Sequence, residues 1–99
     1  MQRILVIEDD AVVRKALKRL FESQGYTVDL AGDGMSGLET FHKQRPRAVV
    51  LDLHLPRMSG QDVCREIACT AREVPIIVLS GNSDELDKVV LLEMALGIR

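Results

Sequence analysis

Short β-branched and apolar runs alternate along this chain with longer stretches whose apolar residues recur at helical spacing, and this alternation restricts the fold more than any other feature. Residues 4–7 (Ile-Leu-Val-Ile) are continuously apolar and run straight into acids, the pattern of a strand buried on both faces whose carboxyl end reaches solvent. Val13, Ala16, Leu17, Leu20 and Phe21 then follow a helical period that stops before Gly25. Residues 27–30 form a second short strand. Turn chemistry at Ala31-Gly32-Asp33-Gly34 precedes a helix with Leu38 and Phe41 facing inward, and Pro46 closes that unit. Residues 48–52 are a third buried strand ending in a carboxylate. Leu55-Pro56-Arg57-Met58-Ser59-Gly60 breaks the backbone before a helix carrying Val63, Cys64 and Ile67. Pro75 opens a fourth strand at 76–79, and Asp84 is placed to cap a final helix of about a dozen residues. Repeated strand-helix units predict a parallel α/β sheet. With 99 residues and no linker or repeat, they predict one domain spanning residues 1–99.

Charge narrows the function. A net charge of −2 and a pI near 5.6 give no basic footprint for nucleic acid or anionic membrane. Met1 leads directly into the first strand, without a basic n-region or a long apolar stretch, so a cytoplasmic protein is expected. Cys64 and Cys69 lack the spacing of a zinc site or a redox pair and read as reduced, largely structural thiols. His42 and His54 belong to no His/Cys cluster and read as ordinary side chains.

Right-handed crossovers put all the strand carboxyl ends on one rim of a parallel sheet, where ligands of such sheets bind. Glu8, Asp9 and Asp10 follow the first strand, Asp52 ends the third, and Ser80 ends the fourth. Acids at strand ends often only solvate a loop or complement a helix N-terminus, and Asp10 is assigned to that role. Glu8, Asp9 and Asp52 together form an oxygen-rich cluster suited to magnesium or manganese. Carboxylates this close repel one another, which raises at least one pKa and which a divalent cation relieves. Such a cation also neutralises phosphoryl oxygens, and an aspartate can accept a phosphoryl group as an acyl phosphate.

Three ordered segments, Ile4-Leu5-Val6-Ile7-Glu8-Asp9-Asp10, Asp52-Leu53-His54-Leu55-Pro56-Arg57-Met58-Ser59-Gly60 and Val74-Pro75-Ile76-Ile77-Val78-Leu79-Ser80, resemble the response-regulator receiver family of two-component systems. Towards its end the chain is most similar to receivers that precede winged-helix DNA-binding domains. The resemblance implies a flavodoxin-like sheet of strand order 2-1-3-4. It implies Asp52 as the phosphoacceptor and Glu8, Asp9, Asp52 and the backbone carbonyl of His54 as ligands of Mg2+ or Mn2+. It implies Ser80 as a hydroxyl that bonds the acyl phosphate, with Gly81 as the small residue that lets the phosphoryl group approach. The implied partner is a histidine kinase or phosphotransfer protein, and the implied role is a signalling phosphoacceptor, not an enzyme of turnover.

The family continues through a fifth strand and helix and carries a lysine after that strand, whereas this sequence ends at Arg99 with no Lys beyond Lys88. Strand four is then expected to be an apolar edge, and Val89-Val90-Leu91-Leu92-Glu93-Met94-Ala95-Leu96 is apolar nearly all round, so a homodimer through the C-terminal segment or the strand-four edge is expected. Residues 89–92 have strand character too, although Asp84 and Glu85 favour a helix. Two other functions are open on the residues alone: a receiver-like interaction module impaired in phosphorylation, and a metal-dependent phosphatase. The second lacks an obvious general acid outside the acidic cluster.

Overall fold

Within the first apolar run, successive side chains go to opposite faces of a sheet, and both faces are covered. The computed structural model describes residues 2–71 and 73–79. In chain order it contains β1 (Arg3–Ile7), α1 (Ala11–Ser23), β2 (Thr27–Ala31), α2 (Gly34–Gln44), β3 (Ala48–Asp52), α3 (Gly60–Thr70) and β4 (Ile76–Leu79). Every strand pairing is parallel and the spatial order is β2-β1-β3-β4, as the sequence and the family resemblance lead one to expect.

Ile4 and Val6 of β1, with Val50 and Leu79, pack against Val13, Leu17 and Phe21 of α1. Leu5 and Ile7, with Val49 and Leu51, pack on the other face against Phe41 of α2 and Val63 and Ile67 of α3. The four core residues of β1 are at most 5% exposed, which is why that segment is continuously apolar instead of alternating. Each helix begins at a side-chain cap: Asp10 accepts from the N–H groups of Val12 and Val13, Asp33 from Ser36, and Ser59 from Asp62.

The division of helices between faces follows from handedness. The chain steps from β1 to β2 in one direction and from β2 to β3 and β4 in the other, so among the described residues right-handed crossovers place α1 on one face and α2 and α3 on the other. The loops leaving β1 and β3 therefore diverge to opposite faces, which opens a crevice at the carboxyl ends of these two neighbours.

The expected final helix with its Asp84 cap, the helix-or-strand alternative for residues 89–92, Lys88, Ser80 and Gly81 all lie outside the described residues. Cys64 packs partly against the core as expected, but Cys69 is exposed on α3 and has no structural burial to account for it.

Candidate functional site

Ile7 is in register with Leu51, so the next step along both strands carries Glu8 alongside Asp52 at the mouth of the crevice. Both are buried, at 0% and 1% exposure, and they are the buried charged residues among those described. Asp9 stands exposed beside them. One carboxylate oxygen from each of Glu8, Asp9 and Asp52 lies within 4.8 Å of the others, the donor set the sequence singled out. Two buried oxygen donors and an exposed one suit a hard divalent cation that keeps some of its water. Asp10 is not in this group. Its Oδ1 accepts from Val12 N at 2.8 Å and Val13 N at 3.1 Å, so it is the helix cap that its position suggested.

Burial pushes the Glu8 carboxyl up from 4.5 to about 7, opposed by the Asp10 N–H that donates to Oε2 at 3.1 Å. Side-chain hydrogen bonds with Asp9 and Asp52, and the charge of Asp52, raise it further. The raised carboxyl favours a proton on Glu8 that a divalent cation held by the cluster would displace.

Asp52 is positioned from its own loop, with His54 N–H donating to Oδ1 at 3.1 Å while the imidazole is exposed. The loop then turns sharply. Met58 N–H donates to Pro56 O at 2.8 Å around Arg57, whose φ of 69° is left-handed, a strained γ-turn geometry for a residue with a Cβ. It returns to β3 where Gly60 N–H donates to Leu53 O at 3.1 Å. A Cβ on Gly60 would lie 2.5 Å from Leu53 Cα and 2.6 Å from Asp52 O, so only glycine permits this approach behind Asp52.

Arg14 was not singled out by sequence. Its Nη1 donates to the carbonyl oxygens of Glu8 at 2.9 Å and Asp9 at 3.0 Å. The one available signal is its place one turn inside α1, since helical side chains lean back toward the N-terminus and so over the preceding loop.

The response regulator receiver domain family matches residues 4–97. The response regulator MprA of Mycobacterium ulcerans is 43% identical over 91 residues, which is 92% of this chain and 39% of that protein. This chain thus spans about two fifths of the length of the curated relatives it matches. A crystal structure of the histidine kinase ThkA in complex with the response regulator TrrA aligns at 35% identity and a TM-score of 0.77, over 84% of this chain and 72% of that one. TrrA of Thermotoga maritima in complex with Mg2+ and BeF aligns at 28% identity and a TM-score of 0.74, over 93% of this chain and 98% of that one. By sequence, by sheet order and by the placement of its acids, the chain belongs to the response regulator receiver domain family.

Proposed function

We propose that Asp52 is the phosphoacceptor of this receiver and that Glu8, Asp9, Asp52 and the His54 carbonyl hold Mg2+ or Mn2+ beside it. The observation that carries this reading is the convergence of three carboxylates within 4.8 Å at the β1/β3 crevice. A bound divalent cation supplies charge neutralisation for the phosphoryl oxygens. The chain's own residues do the rest. His54 N–H holds Asp52 Oδ1, the Gly60 turn fixes the backbone behind it, and the raised Glu8 carboxyl gives up its proton as the site loads. An Asp52 oxygen then bonds to phosphorus as the phosphorus–nitrogen bond of a phosphohistidine breaks, and the released imidazole takes up a proton.

The donor is a histidine kinase or phosphotransfer protein, a reading supported by the ThkA and TrrA complex. Ser80 and Gly81 are the hydroxyl and the small residue that meet the acyl phosphate, and the output is a protein contact in the cytoplasm. No helix among the described residues is long and apolar enough to cross a membrane. Peptide mapping after phosphorylation tests the assignment: a hydroxylamine-labile adduct on the peptide containing Asp52 is expected, and an adduct elsewhere would refute it.

Self-association is part of the same proposal. Val78 on β4 is 45% exposed, and among the described residues no strand pairs with the outer edge of β4. A second copy meeting the β4 edge or the C-terminal segment would cover it. Sedimentation showing only monomer at concentrations on the order of tens of micromolar would remove this part.

A further inference from the structure

Only Glu8, Asp9 and Asp10 separate β1 from α1, and two of them are in the metal-binding group. Some polar groups of this loop are tied to other elements or to each other: Glu8 N–H donates to Ala31 O at 3.0 Å, and Asp10 N–H donates to Glu8 Oε2. Two of its carbonyls meet one side chain. Arg14 Nη1 donates to the Glu8 and Asp9 oxygens, while the Asp10 oxygen accepts the backbone N–H of Arg14 at 2.9 Å as the first bond of the helix. The guanidinium lies beside Gly32, where a Cβ would sit 3.1 Å from Nη1, so Arg14 reaches between the β1–α1 and β2–α2 loops.

We propose that Arg14 is a positioning residue of the metal site: by gathering two consecutive carbonyls its guanidinium fixes the peptide planes from which the Glu8 and Asp9 side chains spring, and so sets the separation of the carboxylates. This inference rests on the reading of Glu8, Asp9 and Asp52 as metal ligands. Its physical basis is that Mg2+ demands near-ideal oxygen geometry, so small displacements of two donors lower affinity. Residues that orient ligands without touching the ion typically change metal affinity tenfold or more when replaced.

Charge makes the sign diagnostic. A guanidinium near the cluster repels a cation, so removing charge alone would tighten Mg2+ binding. Weakened binding on removal therefore reports positioning. A merely structural Arg14 would lower the unfolding midpoint and leave the Mg2+ affinity of the folded protein unchanged.

The experiment is calorimetric Mg2+ titration of the natural chain, Arg14→Met and Arg14→Lys, well below their unfolding midpoints, with phosphoryl uptake measured at limiting and saturating Mg2+. Arg14→Met is expected to raise the Mg2+ Kd about tenfold, and Arg14→Lys, which keeps the charge and one donor reach, to raise it less. Uptake by both variants should be slow at limiting Mg2+ and approach the natural rate at saturation. Natural or tighter Mg2+ affinity in Arg14→Met overturns the proposal. Should that variant fail to fold, Arg14→Lys decides alone, and natural affinity there overturns it. Failure of the natural chain to bind Mg2+ would remove the metal reading itself, and this proposal with it; binding by the natural chain that the variants leave unchanged removes only the role of Arg14.

Discussion

Glu8 is the residue on which the chemistry of the site is most directly visible. Its carboxyl is raised from 4.5 to about 7, chiefly by burial, so the folded chain binds a proton that the unfolded chain has released over this interval. Its stabilising contribution is present below about 4.5 and is lost as pH rises through about 7. Metal-free protein is therefore expected to lose stability over that window in denaturant melts, and Glu8→Gln to flatten the loss. An equally steep profile in Glu8→Gln would place the titration elsewhere. Asp52→Ala removes a neighbour that raises Glu8, so it should leave the metal-free fold as stable as the natural chain or more so near pH 8. Asp10→Ala separates the cap from the cluster: a loss of about 1 kcal/mol in stability with unchanged Mg2+ affinity is expected. Weaker Mg2+ binding in that variant would return Asp10 to the site. Residue types at strand ends made the Glu8, Asp9 and Asp52 cluster legible before any coordinates, because each acid alone could merely solvate a loop but a parallel sheet brings all three to one rim. Arg14 was not legible, because a basic residue on an amphipathic helix ordinarily faces water, and only the folded loop shows two carbonyls turned toward its guanidinium.

At the scale of elements, the described strands and helices follow the apolar periods closely, since β1 and β3 are buried on both sides and the helices are buried along one stripe. Caps at Asp10, Asp33 and Ser59 mark each helix start with a residue type that sequence reasoning recognises. The β3–α3 connection is different. Its Pro and Gly announced a break, but neither the left-handed Arg57 nor the contact of Gly60 with Leu53 follows from residue type. Gly60→Ala sets a Cβ against backbone, which cannot yield as a side chain can, so a loss of about 1–3 kcal/mol in chemical denaturation is expected together with slower phosphoryl uptake. Natural stability and uptake in Gly60→Ala would show that this loop moves without consequence for Asp52. Phe21, 1% exposed, anchors α1 on the sheet and meets Tyr26 edge-on at 6.1 Å. Phe21→Ala should lower stability by about 3–5 kcal/mol, read from the denaturation midpoint, and an effect under about 1 kcal/mol would contradict the packing described.

For the whole molecule, the decisive property is the reversal of chain direction at β1. It splits the helices between the two faces and leaves the crevice that Glu8 and Asp52 enter from adjacent strands. Strand order was expected from resemblance, not from periodicity, because apolar patterning tells which residues are buried and not which strands are neighbours. The face-by-face packing shows that β1 is covered on both sides: Ile4 and Val6 belong to one core and Leu5 and Ile7 to the other. All of this bears on one claim, that Asp52 accepts a phosphoryl group with a divalent cation present. Intact-mass measurement after incubation with a small phosphodonor, with Mg2+ and with a chelator, on the natural chain and on Asp52→Ala, tests it most directly. One phosphoryl adduct is predicted on the natural chain with Mg2+ and none in the other three samples; a natural chain that stays unmodified with Mg2+, or an Asp52→Ala chain that gains the same adduct, would contradict the account.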